Sequence, residues 1–323
     1  MVLKDRFNRY LTHLRISVTM KCNYDCIYCH REGETFKEDF LRVRDIGIVC
    51  KAATLHGIKY YKITGGEPLV RSDILEIVSV IKENVSGEIS MTTNGYFLED
   101  YIPAILDAGL KRVNVSLPSL KESNYLRITK RKGLNKVLRG LDIAVSYGVP
   151  IKLNVVVTKY NFSELTSIIE YASSKGFDIN LIELIPVNIS PEIFRDLYVS
   201  IDGVEKEVMD KAKKRYIREL QARPVYVLDT GVKIEFIKSF CNPIFCNKCS
   251  KIRLTHDGFL KPCIMRNDNV VDIRSILRAD FSDYKKILMV YEKIKETNMK
   301  REPYFRYRGN KCVSVDGRYI RER

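Results

Sequence analysis

The sequence predicts an α/β chain whose parallel sheet curls into a partial (β/α) barrel, and three observations predict it. Six short apolar, β-branched runs recur up to Leu184, segments of helical periodicity lie between them, and several runs end in polar turns that contain glycine. Strands separated by helices pair in parallel through crossovers, which leaves a complete or partial barrel or an open doubly wound sheet. The barrel-like sheet is the expected form.

In chain order, strands are expected at 14–18, 60–64, 89–92, 113–117, 151–157 and 179–184, and helices at 45–55, 72–83, 98–108, 134–147 and 163–175. The turns Thr64-Gly65-Gly66-Glu67-Pro68 and Thr92-Thr93-Asn94-Gly95 close two of the strands. The C-terminal strand edge is where such folds place their chemistry. After Leu184 the rhythm breaks. A charged stretch over 204–219 reads as helical and leads through 225–237 to a second group of cysteines. No linker or repeat separates this region, so residues 1–200 are expected to form the barrel and 201–323 a C-terminal region packed on it.

The 323 residues carry 55 Lys+Arg against 40 Asp+Glu, for a net charge of +15, with 45% hydrophobic and 29% charged residues. That composition builds a sizeable core and excludes disorder over most of the chain. No stretch approaches the roughly 18–20 apolar residues of a membrane span, and the N-terminal run lacks a signal-like apolar region, so a cytoplasmic location is expected. Residues 299–323 hold eight Lys/Arg against three acids, and residues 318–323 are expected to be a solvated tail. Trp is absent, and glutamine occurs only at Gln221.

Nine cysteines are present, six of them in two groups of three. Cys22-x3-Cys26-x2-Cys29 follows the first strand directly, so one loop wraps three thiols around one object. Three ligands on a four-iron cluster leave one iron open to a chelating molecule. A zinc site completed by His30 is the alternative. Cys246-x2-Cys249-x13-Cys263 repeats the incompleteness, with a structural zinc completed by Cys241 or His256 as the alternative. Cys50 and Cys312 have no partners in sequence and read as small buried residues.

The first triad with Gly65-Gly66-Glu67-Pro68 resembles the radical S-adenosylmethionine superfamily. With the second triad, and with DRFNRYLTHLRISVTMKCNYDCIYC, YKITGGEPLVR, MTTNG, VNVSL, IKLNVVV and LIELIP in order, the chain is similar to the GTP 3′,8-cyclase (MoaA) family of molybdenum cofactor biosynthesis. The resemblance implies a radical lyase with two [4Fe–4S] clusters, one on Cys22, Cys26 and Cys29 and one on Cys246, Cys249 and Cys263. It places S-adenosylmethionine against Tyr28, Gly66, Ser116 and Ile185, the last of these normally Met in the family. It places GTP against Arg15, Lys62, Thr92, Lys152 and the Lys251-Ile252-Arg253 run.

The resemblance implies further that the reduced first cluster cleaves S-adenosylmethionine. The resulting radical takes hydrogen from C3′ of GTP, and that carbon then attacks C8. Expected partners are GTP, S-adenosylmethionine, an electron donor and, functionally, the cyclic pyranopterin synthase MoaC; a homodimer is compatible with the chain, and neither nucleic acid nor membrane is expected. Two other readings are a radical S-adenosylmethionine peptide-modifying enzyme with an auxiliary cluster and a zinc-bearing RNA-binding protein. Peptide-modifying enzymes carry more C-terminal cysteines, and the dispersed tyrosines argue against an RNA-binding platform.

Replacing Cys22, Cys26 and Cys29 together by Ala should leave roughly half the iron and abolish reductive cleavage, because only the first cluster faces S-adenosylmethionine. Iron analysis and 5′-deoxyadenosine formation check this, and continued formation by the variant would refute the assignment.

Overall fold

The computed structural model describes residues 2–35 and 37–322. At its centre eight strands run parallel, in the spatial order β10 (Lys251–Leu254), β1 (His13–Ser17), β2 (Tyr60–Thr64), β3 (Glu88–Thr93), β4 (Arg112–Ser116), β5 (Ile151–Val157), β6 (Asp178–Glu183) and β9 (Lys233–Ile237). Antiparallel β11 (Phe259–Lys261) and β12 (Val271–Asp272) extend one side, and β8 (Arg223–Val227) and β7 (Lys214–Arg218) the other. The helices α1 (Val43–Leu55), α2 (Ile74–Asn84), α3 (Leu98–Asp107), α5 (Leu134–Ser146) and α6 (Leu165–Lys175) follow β1 to β5 in turn as crossovers. This is the α/β architecture that the alternation of strands and helices predicts.

Each central strand alternates with period two. Leu14 and Ile16, Tyr61 and Ile63, Val113 and Val115, Leu153 and Val155, Ile179 and Leu181, Ile234 and Phe236, and Ile252 and Leu254 are buried in one apolar core. Their neighbours Arg15, Lys62, Asn114, Lys152, Asn154, Asn180, Glu235 and Lys251 line the interior. In a parallel sheet both faces are usually apolar. Here the inner one is polar.

The structure corrects several expectations and adds a helix before α5. The stretch expected to be helical at 204–219 is helical only as α8 (Asp202–Asp210). The chain then turns into β7, whose Tyr216 and Ile217 suit a strand and which pairs with β8 from Lys214↔Val227 to Arg218↔Arg223. A helix without a sequence expectation, α4 (Glu122–Thr129), ends at Lys130 with φ of 60°. Its carbonyls at Ile128 and Thr129 accept the Ile27 and Asp25 N–H groups at 3.0 and 3.2 Å, so it braces the first cysteine loop.

The tail is corrected as well. β13 (Phe305–Arg308), β14 (Lys311–Ser314) and β15 (Ile320–Glu322) form a separate antiparallel sheet, so the chain from Arg318 runs into a paired strand rather than a free tail; Arg323 lies outside the described residues. The Tyr319 hydroxyl donates to the Pro186 carbonyl at 2.9 Å, and its ring packs edge-on to Phe240. Cys241 and Cys312 are joined in a disulfide, with Cα atoms 5.8 Å apart. Cys312 is therefore not an unpartnered residue, and Cys241 is not a fourth ligand. Sequence spacing could not show this, because the pairing spans 71 residues. Cys50 is free and buried in the core, as expected.

The second half is held to the first by α10 (Arg274–Arg278), α11 (Asp283–Met299) and Arg301, two residues past the end of α11. That guanidinium is buried and donates to Asn298 Oδ1 at 2.9 Å, to Tyr10 O at 3.4 Å and to Cys249 O. The short helices α7 (Pro191–Leu197) and α9 (Pro243–Asn247) complete the chain. Among the described residues no helix is long and apolar enough to cross a membrane.

Truncation after Asp316 should expose the apolar cluster of Tyr304, Phe305 and Cys312, against which Tyr319 packs beside Cys246 and Cys263. We expect faster proteolysis of the C-terminal region and faster loss of iron from its three free cysteines, read by limited digestion and chelator-release kinetics. Unchanged rates would show that Tyr319 contributes nothing there.

Candidate active site

Thr19 to Cys29 form the loop that leaves β1, and the end of β2 comes against it. The Gly66 N–H donates to Thr19 O at 2.7 Å and the Glu67 N–H to Lys21 O at 2.8 Å. A Cβ on Gly66 would lie 2.2 Å from Lys21 O, and one on Gly65, at φ +148°, 2.4 Å from Thr19 O. The glycine pair therefore serves the approach of two backbones. Glu67 is buried and accepts from Leu69 N, Thr93 Oγ1 and Asn94 N at 3.0, 2.7 and 2.6 Å, fastening this turn to the end of β3. Burial, opposed by these three donors, pushes its carboxyl up to about 7.

Cys22, Cys26 and Cys29 are free and line a cavity of about 290 Å³ together with Tyr28, Gly66, Ser116, Thr92, Lys62 and Lys152. Cys246, Cys249 and Cys263 are free and line a second cavity of about 220 Å³ with Arg253 and Ile185. Arg15, Tyr28, His30, Arg223 and Lys251 line both. Because Cys249 precedes β10 and Cys263 follows antiparallel β11, the second triad enters from the strand-start edge, whereas the first leaves from the strand-end edge. The interior lies between them.

The expected site residues are thus brought together, with two exceptions. Ile252 is buried in the core and lines neither cavity, since the strand period turns it away while Lys251 and Arg253 face inward. Ile185 lines the second cavity and not the first, which separates it from Gly66 and Ser116. Of the fourth-ligand alternatives, Cys241 is held in its disulfide, His256 lines neither cavity, and each histidine has its Nδ1 engaged. His256 Nδ1 pairs with Glu34 Oε2 at 2.6 Å, and His30 Nδ1 accepts the Glu32 N–H at 3.0 Å.

The donor set fits an iron–sulfur cluster at each triad. Amide groups already point at the sulfurs: Tyr24 N–H lies 3.4 Å from Cys22 Sγ, and Gln221 Nε2 lies 3.8 Å from Cys249 Sγ. Burial pushes the Cys22 thiol up to about 11 and the Cys246 thiol up to about 12. At Cys249 burial acts the same way but is outweighed by Arg301, Lys251 and the Lys251 N–H, so its thiol is lowered. Thiolate ligation at most of these positions is therefore coupled to proton release.

The interior is strongly cationic. The first cavity is lined by Arg15, Lys62, Arg112, Lys152, Arg218, Arg223 and Lys251, against Glu32 and Glu235 alone as acids. Glu32 accepts from Arg15 at 2.7 Å and from Thr64 Oγ1 at 3.0 Å, and Arg253 Nε lies 3.4 Å away. Glu235 accepts from Lys152 at 2.5 Å, Arg223 at 2.9 Å and Arg218 at 3.0 Å. Burial would raise both carboxyls, yet the adjoining cations hold them well below the usual range. Burial and neighbouring cations push Lys62 and Lys251 well below theirs.

Arg112, Arg218, Arg223, Glu32, Glu235 and the amide row Asn114, Asn154 and Asn180 were not singled out from the sequence. For part of this set the signal was there: strict alternation in RVNVS, IKLNV, DINLI and KIEFI puts Arg112, Asn114, Asn154, Asn180 and Glu235 on the same face as Lys62 and Lys152, whereas Glu32, Arg218 and Arg223 lie outside those strands. Such a surplus of buried cations is a site for a polyanion, which the charge-assisted bonds of Arg and Lys hold.

These features define a class, the radical S-adenosylmethionine fold, and comparison with known proteins agrees. The Radical SAM superfamily model matches residues 16–172 and the Molybdenum Cofactor Synthesis C model matches residues 177–307. The probable GTP 3′,8-cyclase of Sulfurisphaera tokodaii is 42% identical over 306 residues, covering 94% of this chain and 97% of that protein. That of Methanocaldococcus jannaschii is 40% identical over 307 residues, covering 94% and 99%. The chain belongs to the GTP 3′,8-cyclase family. Among solved structures, Streptococcus suis SuiB bound to precursor peptide SuiA aligns with a TM-score of 0.66 at 15% identity, over 94% of this chain and 72% of that one. Native anSMEcpe with bound AdoMet aligns with a TM-score of 0.58 at 15% identity, over 90% and 88%. Both likenesses show the fold alone.

A polyanion entering the interior should raise the lowered Lys62 and Lys251. Binding then takes up protons, and affinity is greatest below the free-state values and falls as pH rises through them. Titration of inorganic tripolyphosphate by calorimetry in buffers of different ionisation enthalpy should show net proton uptake at a pH below the ordinary lysine range. Proton release would contradict the assignment of these lysines to the anion site.

Proposed function

We propose that this chain is a GTP 3′,8-cyclase, converting GTP to (8S)-3′,8-cyclo-7,8-dihydroguanosine 5′-triphosphate with S-adenosylmethionine. One observation carries the reading: two cysteine triads open on adjoining cavities whose common wall bears Arg15, Arg223 and Lys251. Cys22, Cys26 and Cys29 hold one [4Fe–4S] cluster, and Cys246, Cys249 and Cys263 hold the other. When bound, the first cluster and S-adenosylmethionine supply the reactivity that removes the C3′ hydrogen of GTP so that C3′ can bond to C8.

The chain's own residues position and seclude. Tyr28, Gly66 and Ser116 border the S-adenosylmethionine end of the interior, and Asn94, whose amide donates to Asn23 Oδ1 at 2.7 Å, ties the end of β3 to the cysteine loop. Arg15, Lys62, Lys152, Lys251 and Arg253 hold the triphosphate, the two arginines as forks and the lysines as point charges. Glu32 orients both forks by accepting from Arg15 and lying beside Arg253. Thr92 borders the same space. Val156, Ile182 and Ile237 supply an apolar wall against water. No side chain is required as a general acid or base for hydrogen abstraction. Passage of the product to a cyclic pyranopterin synthase, a cytoplasmic location and a homodimer belong to the same reading.

Reconstituted protein given GTP, S-adenosylmethionine and dithionite should form 5′-deoxyadenosine only when GTP is present. Arg253→Ala should weaken GTP binding by about 1.5–3 kcal/mol, the scale of a hydrogen bond to a charged group, with little change for S-adenosylmethionine. Equal loss of both affinities, or 5′-deoxyadenosine formed without GTP, would sink this reading.

A further inference from the structure

Gln221, the one glutamine of the chain, has no part in the reaction as described above. It lies in the turn Leu220–Ala222 with φ of 62°, and Ala222 follows at 47°. Two successive non-glycine residues in the left-handed region persist only where their surroundings over-determine them. Those surroundings are specific. The Gln221 N–H donates to Lys248 O at 2.9 Å, and the side-chain carbonyl accepts from Arg223 and, at 3.0 Å, from Lys251. The amide nitrogen lies 3.8 Å from Cys249 Sγ.

The amide can face only one way. Arg and Lys are donors without acceptor capacity, so the oxygen must meet Arg223 and Lys251, and the NH2 group must meet the sulfur. Arg223 and Lys251 are cations that both cavities share, and Arg223 is held on its other side by Glu235. A single buried amide therefore connects one thiol of the second triad to the anion site.

We propose that Gln221 is a positioning residue: its NH2 group hydrogen-bonds the Cys249 sulfur of the second cluster while its carbonyl sets Arg223 and Lys251 toward the bound nucleotide. This rests on the reading of Cys246, Cys249 and Cys263 as cluster ligands. A donor to a ligating sulfur raises a cluster's reduction potential, and a fixed acceptor keeps two neighbouring cations in place despite their repulsion.

Three variants separate the roles. Gln221→Glu keeps the acceptor but replaces the donor by a negative oxygen, Gln221→Met removes both, and Gln221→Asn suits the left-handed backbone while falling one methylene short. The potential is read by EPR-monitored titration in the Cys22/Cys26/Cys29 triple-alanine protein, whose one remaining cluster is the second. GTP affinity is read by equilibrium dialysis of the full chain without reductant.

Gln221→Glu should shift the reduction equilibrium at least tenfold toward the oxidised form, about 59 mV for one electron, with GTP affinity within threefold. Gln221→Met should lower the potential less and weaken GTP at least tenfold, leaving S-adenosylmethionine affinity unchanged. Wild-type potential and GTP affinity in Gln221→Glu and Gln221→Met overturn the proposal. Should those two fail to fold, the same result in Gln221→Asn overturns it. Triple-alanine protein without any cluster removes the reading of the second triad and this proposal together.

Discussion

The site depends on one constraint, that a parallel sheet carries charge on its inner face. Interior lysines and arginines are desolvated, and a buried charge is tolerated only when paired and hydrogen-bonded. Two carboxylates answer that need from opposite sides. Glu32, on the loop after β1, serves the Arg15 and Arg253 side, and Glu235, on β9, serves Lys152, Arg218 and Arg223. Cations in the first cavity still outnumber acids, and burial together with that surplus lowers Lys62 and Lys251. A polyanionic substrate completes the electrostatics that the fold leaves incomplete.

The same constraint explains why the second half belongs to the sheet. β10 enters beside β1 in parallel, placing Arg253 opposite Arg15 and Lys251 opposite His13. That register makes a charged strand end part of the interior, and it fixes Cys249 two residues before the pairing begins. Buried arginines hold the approach: Arg9 Nη1 donates to Cys246 O at 2.7 Å, with Asp5 accepting its Nε at 2.7 Å, and Arg301 donates to Cys249 O. The N-terminal segment, the end of α11 and the second triad are thereby one packed unit.

What the sequence made legible were the features carried by local pattern. β2 and β5 have the expected bounds, the other four expected strands differ by one residue at each end, and the first triad leaves from the strand-end edge where chemistry was expected. What it hid was decided by tertiary pairing. Lys214–Arg218 reads equally as charged helix or strand until β8 offers a partner. The Cys241–Cys312 bridge joins residues that no spacing relates. Ile252 was taken with its neighbours because the family motif runs through it, although strand alternation alone would have removed it. Glu235 and Arg223 lie on strands after Leu184, where the alternation of strands and helices that marks the barrel has already broken and only tertiary pairing brings them to the interior.

Gly65-Gly66-Glu67 shows most clearly how motif and physics diverge. The glycines read as room for a ligand; in the fold they are room for Thr19–Lys21, without which the cysteine loop could not seat on β2. Glu67 then carries a buried charge that, unlike those of Glu32 and Glu235, has no cation and is satisfied by two N–H groups and one hydroxyl. Burial without a countercharge is why its carboxyl rises to about 7 while Glu235, equally hidden, falls. The sign follows. The folded turn binds a proton below about 7 that the unfolded chain binds only near 4.5, so this group favours folding increasingly as pH falls through that window and loses the contribution as pH rises through 7. Near neutral pH burial therefore favours the neutral form of the carboxyl beside the first triad while its three donors favour the ionised one, so the turn that seats the cysteine loop is coupled to pH through a carboxyl, as the anion site is through its lysines.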